Sequence, residues 1–233
     1  MEQKSPRLDR LCFCDQMRQE DVADLAIAIS ELPDQHSAIF WRSPNLGIWC
    51  LQFGGRIESS PVGDENFAWA IPPDMHAFEI RQIRELCDLI SQAVSITNAP
   101  HYSFAPSRGS LFYGIGVDVY FVAGHGATGL TCATFVLAIL NCLENYELID
   151  LDTWPPATSA DIAERSKLIA RVSGIWDVTQ LVAEINSPRP MPSHLVGACL
   201  FGNSRVDYER ADNAATLVRS NLHDYYVRSG LKL

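Results

Sequence analysis

The chain has 233 residues, 47% of them hydrophobic, and a formal net charge of −10. That length and apolar content are enough to bury a full core without covalent or metal staples. Its 18 Lys and Arg residues are dispersed rather than gathered into a stripe that neutralises phosphates, which argues against nucleic acid as a partner.

The 7 cysteines are odd in number and scattered, the pattern of free thiols in a reducing, cytoplasmic setting rather than of a disulfide framework. Cys12 and Cys14 form the one close pair, and no second pair or His cluster stands at a zinc-like spacing, so neither metal nor cofactor is expected. Residues 1–10 are charged and lack the apolar stretch of a secretory signal. The most apolar segment, 127–143, carries Gly129, Thr131, Thr134 and Asn141 and falls short of the ~20 residues that span a bilayer. It reads as a buried core helix, and no transmembrane segment is expected.

In chain order, residues 20–32 place apolar side chains at helical spacing behind an acidic first turn and stop at Pro33, which predicts a helix. His36-Ser-Ala-Ile-Phe-Trp-Arg42, a turn over 43–47 and Ile48-Trp-Cys-Leu-Gln-Phe53 predict a β-hairpin closed by Gly54-Gly55. Residues 67–71 add a further strand before Pro72-Pro73. Over 77–94, apolar residues recur with a 3.6 period between charges, predicting a long amphipathic helix. The Pro-, Gly- and Ser-rich stretch 97–129 holds an aromatic and β-branched run over 111–122, either strand or ordered loop. From Gly129 to Leu140 no breaker intervenes, and Thr128 or Thr131 is placed to cap a helix. Residues 147–151 read as a strand, and Trp154-Pro-Pro156 as a break. Helices follow over 160–172, 176–185 and 208–228, with Pro188, Pro190 and Pro192 between the last two. The reading is one α+β domain over 1–233: a small antiparallel sheet packed against the Cys132 helix and the 77–94 helix, with additional C-terminal helices over 151–233.

Cys132 lies in the first turn of its predicted helix, where backbone N–H groups lack intrahelical partners and the macrodipole favours a thiolate. A thiol so placed combines a nucleophile with donors for an oxyanion. Gly124, Gly126, Ala127 and Gly129 lead into it and leave room for a substrate to approach. The alternative is a packed core thiol, as Cys142 is expected to be. A nucleophilic cysteine needs a base. Of the six histidines, His36 opens a strand of the hairpin, a rigid place from which to reach a helix N-terminus. His125, in Gly124-His-Gly126 shortly before Cys132, is the rival, as base or as substrate binder.

His36-Ser-Ala-Ile-Phe-Trp, a turn, and Gly47-Ile-Trp-Cys-Leu together resemble the strand pair of the lecithin:retinol acyltransferase-like proteins, in the circularly permuted branch of the NlpC-type papain-like superfamily. Thr131-Cys132-Ala-Thr-Phe135-Val136 is similar to that family's Asn-Cys-Glu-His-Phe-Val, and the order of histidine before cysteine also fits. The resemblance implies a papain-like core over 20–150 with Cys132 as nucleophile and His36 as general base. Where the family has a polar third residue this chain has Cys50, and Gln52, on the same strand face, is the nearest residue able to orient the imidazole. The implied activity is a thiol hydrolase (peptidase or amidase) or an acyltransferase acting on a peptide, amide or acyl substrate. A catalytically silent papain-like interaction domain is the competing expectation.

Overall fold

The structure is a computed structural model that describes residues 5–13, 24–30, 35–44, 47–62, 67–105, 108–124, 127, 129–173 and 178–229. Six strands form the main sheet: β1 (Cys12–Phe13), β2 (Leu25–Ser30), β3 (His36–Ser43), β4 (Gly47–Phe53), β5 (Ile57–Pro61) and β6 (Phe67–Ala70). Their spatial order is β1-β6-β2-β3-β4-β5, antiparallel throughout. The expected hairpin is β3–β4, with Ile39 opposite Leu51 and Ser43 opposite Gly47; Gly47 turns the chain at a φ of 81°, a conformation that suits glycine.

Period-2 alternation sorts the side chains of these strands. Ile27, Ile29, Ile39, Trp41, Leu51 and Phe53 enter the main core, while Ala26, Ala28, Ala38, Phe40, Cys50 and Trp69 form a second cluster. Against the first face pack α1 (Ala77–Gln92), α2 (Cys132–Leu140) and α5 (Pro192–Cys199), and α6 (Tyr208–Arg228) lies on α5. Helix α1 buries Ile83, Leu86, Cys87 and Ile90 along one stripe, and Asp88 on the same helix accepts the Trp41 indole N–H at 2.8 Å. A second sheet, in the order β7-β9-β8, joins β7 (Ile96–Thr97), β8 (Leu111–Ile115) and β9 (Asp118–Val122); the run over 111–122 is therefore a hairpin. The remaining helices are α3 (Ser159–Val172) and α4 (Thr179–Ala183). Among the described residues no helix is long and apolar enough to cross a membrane.

The fold is α+β as expected, with three local corrections. The helix predicted over 20–32 is, over Leu25–Ser30, the strand β2, paired on both sides by β3 and β6. A strand covered on both faces is apolar at every position, and such a run fits a helical period as easily as an extended one. The strand predicted over 147–151 is reduced to a single bridge between Ile149 and Val206 before a 3₁₀ turn at Leu151–Thr153. Helix α5 was hidden in the proline-rich stretch: Pro192 begins it, the one helical position where proline is preferred.

Candidate active site

Helix α2 begins at Cys132 because Thr131 caps it. The Thr131 hydroxyl accepts the Thr134 N–H at 3.1 Å, and the Thr134 hydroxyl accepts the Thr131 N–H at 2.7 Å. The first intrahelical bond runs from Phe135 N–H to the Thr131 carbonyl at 2.8 Å, so the Cys132 and Ala133 N–H groups stand ahead of the ladder at the positive end of the helix. Phe135 stacks on Phe53 of β4 with centroids 5.7 Å apart, seating α2 on the β3–β4 hairpin. Thr131→Ala is expected to lower unfolding free energy by about 1 kcal/mol in urea denaturation, the usual cost of losing a hydroxyl N-cap.

The approach to the helix is fixed by a neighbouring segment. Leu130 N–H donates to the His101 carbonyl at 2.8 Å and Ser103 N–H to the Leu130 carbonyl at 3.0 Å. A Cβ on Gly129 would stand 2.1 Å from the His101 carbonyl oxygen, and one on Gly124 would stand 1.8 Å from that of Arg108. These two glycines therefore admit backbone, not the open space for substrate that the sequence led us to expect; Gly126 lies outside the described residues. Segment 103–105 is held in turn by the buried Glu184 carboxylate, which accepts from the Ser103 hydroxyl at 2.7 Å, Phe104 N–H at 2.8 Å and Ala105 N–H at 3.2 Å.

His36, at the start of β3, stands near enough to the Cys132 thiol and to Gln52 for both to raise its pKa. Gln52 pairs with Ala38, two residues along from His36, so both side chains leave the same face of the sheet. Cys50, opposite Phe40, lies one pair farther away. Cys132 is only 5% exposed. Burial opposes its ionisation, but the hydrogen bond and charge of His36, the charge of Arg189 and the Ser37 backbone N–H outweigh it and lower its pKa from 9.0 to about 7. Burial likewise disfavours the His36 imidazolium. The bond and charge of the Cys132 thiolate, the Gln52 hydrogen bond and the negative charge of Glu58 prevail, and the histidine's pKa is raised. Elsewhere burial is the main influence and acts alone or nearly so: it raises Cys12, Cys87 and Cys199, and takes Cys142 to about 11.

No family model, curated protein or solved structure matches this chain. The site is therefore read from its own residues. The structure brings Cys132, His36 and Gln52 together; His125 lies outside the described residues. His194, which no local pattern singles out, is buried beside Asp212. Its Nδ1 accepts the Met191 N–H at 2.9 Å, which puts the proton on Nε2, 3.2 Å from the Asp212 carboxylate. Sequence reasoning also missed Glu58, Arg189 and the Ser37 N–H. Glu58 sits on the unpredicted strand β5, opposite Gln52, Arg189 on a proline-rich loop, and a backbone donor leaves no mark in residue identity.

Proposed function

We propose that the protein is a cysteine-dependent hydrolase or acyltransferase that acts on an amide or ester bond through Cys132 and His36. The observation that carries this reading is the juxtaposition of a helix-N-terminal thiol and a strand histidine, with Gln52 beside the histidine, in which the thiol's pKa is lowered and the histidine's raised. Such a pair activates sulfur near neutral pH. In the proposed reaction the Cys132 thiolate attacks the carbonyl carbon and the tetrahedral oxyanion is met by the Cys132 N–H at the helix end. The His36 imidazolium then gives its proton to the leaving amine or alcohol, leaving a thioester. Neutral His36 next takes a proton from the acceptor as it attacks: water completes hydrolysis, an amine or alcohol completes acyl transfer. A thiolate nucleophile operates in a reducing setting, which is why we place the protein in the cytoplasm.

The test is formation of the thioester. With p-nitrophenyl acetate, a burst of p-nitrophenolate is expected together with one acetyl group on the Cys132 peptide, released by hydroxylamine and absent in Cys132→Ala. A catalytically silent interaction domain, the reading that the 5% exposure of Cys132 favours, predicts no acetyl group there; that outcome would overturn the enzyme.

A further inference from the structure

A cavity of about 390 Å³ has Gln35, Trp154, Arg165, Arg189, His194 and Tyr208 in its wall. Two connections run from that wall toward the Cys132–His36 pair. Gln35 immediately precedes His36, and the Arg189 guanidinium donates to the hydroxyl of Tyr102, which is bridged to Leu130, two residues before Cys132.

Most charges in this wall are already engaged. The Asp161 carboxylate accepts the Thr158 N–H and hydroxyl at 2.8 and 2.6 Å, and Asp212 accepts from His194. Arg165 donates to the carbonyls of Ile185 and Ser187 at 2.7 and 2.8 Å, and Arg219 to the hydroxyls of Ser193 and Thr216 at 3.1 and 3.0 Å. Glu164 is exposed.

Three polar atoms of the wall are different. Arg189 Nε, the Trp154 indole Nε1 and Gln35 Oε1 are buried with no hydrogen-bond partner among the described residues. The only hydrogen bond Arg189 makes there is a long one, Nη2 to the Tyr102 hydroxyl at 3.3 Å. Buried polar groups are normally satisfied, and two donors and one acceptor orphaned in a cavity wall mark what a ligand brings. The guanidinium is also held in place. It lies 5.3 Å over the Phe104 ring, and Pro188 and Pro190 fix the backbone on either side. A planar, pre-oriented fork with spare donors is matched to a carboxylate, and an amide oxygen with no donor is matched to an N–H.

We propose that this cavity is the substrate subsite, and that the substrate is a carboxylate-bearing amide whose carboxylate binds Arg189 and whose N–H is accepted by Gln35. The inference rests on the reading of Cys132 and His36 as the reacting pair. It narrows the substrate from any acyl compound to an acidic amide or peptide.

Titration calorimetry on Cys132→Ala reads the subsite with no chemistry at sulfur. The probe is glutaramate, which carries one carboxylate and one primary amide; glutaramide is its uncharged control. Glutaramate is expected to bind, Arg189→Gln in the same background to weaken it at least ~10-fold, as loss of a charge-assisted fork should, and glutaramide to bind no better than it does to the Arg189→Gln protein. Arg189→Lys keeps the charge but loses the fork, falls between the two, and serves should Arg189→Gln fail to fold. Gln35→Ala, outside the Arg189–Phe104 stack, is expected to weaken glutaramate a few-fold. Absence of glutaramate binding, equal binding of glutaramide, or indifference to both Arg189 variants overturns the subsite, whatever Cys132 does. Arg189-dependent binding in a protein whose Cys132 never forms a thioester sustains the subsite and overturns the nucleophile instead.

Discussion

In His36→Ala, alkylation of Cys132 by iodoacetamide is expected to lose its rise through pH 7. The thiol is held at about 7 chiefly because His36 opposes the cost of burial. Remove the imidazole and burial remains, so the pKa returns to its ordinary 9.0 or above. At pH 7 the thiolate fraction then falls from about one half to about one hundredth, a loss of roughly 50-fold. The more basic thiolate is about 8-fold more nucleophilic by the usual Brønsted slope, which leaves a net slowing of roughly 6-fold. The sign is fixed by the direction of the shift. An acid with a depressed pKa is ionised at lower pH, so losing the depression moves the reactive limb upward. Peptide mapping across pH 6 to 10 checks this, with Cys142, at about 11, as the internal reference that does not move. An unchanged Cys132 profile in His36→Ala would remove the histidine from the site.

The second large effect is on stability. Glu184→Ala should lower unfolding free energy by about 2–4 kcal/mol, because it takes the carboxylate acceptor from the buried Ser103 hydroxyl and Phe104 N–H, at about 1–3 kcal/mol each with partial relaxation, while Ala105 N–H keeps its 3.1 Å bond to the Ser103 hydroxyl. These three donors converge on one carboxylate oxygen. Glu184→Gln keeps an oxygen there and should cost clearly less. Urea denaturation with an unchanged m-value makes the comparison. A Glu184→Ala protein within about 1 kcal/mol of wild type would show that segment 103–105 holds itself.

What the sequence made legible divides along physical lines. The β3–β4 hairpin and helices α1, α2 and α6 are amphipathic, capped or bounded by turn residues, so their own residues specify them. Strand β2 is misread because the sheet buries both of its faces, and a two-sided apolar run has no distinctive period. Strand β5 was missed for the opposite reason. It is an edge strand, so Glu58, Ser59 and Ser60 need not be apolar. In the site, Cys132, His36 and Gln52 were legible because the end of a helix and the face of a hairpin can be located from local pattern. Arg189, Tyr102 and Glu184 act across long stretches of chain. Each reaches the site through a tertiary contact, and nothing in the residues beside them announces it.

The brace from Glu184 through 103–105 to Leu130, and the placement of Arg189 near Cys132, have a consequence for synthesis. Cys132 and His36 both leave the ribosome well before the residues that position them. Until those later residues arrive and dock, Cys132 belongs to an unfolded segment whose thiol is protonated at cellular pH. In the nascent chain the sulfur is thus mostly protonated at cellular pH, and the lowered pKa of Cys132 arrives only with the finished molecule. Misfolded or truncated copies would carry the same cysteine without that lowered pKa, so the thiolate population at neutral pH reports completion of the fold.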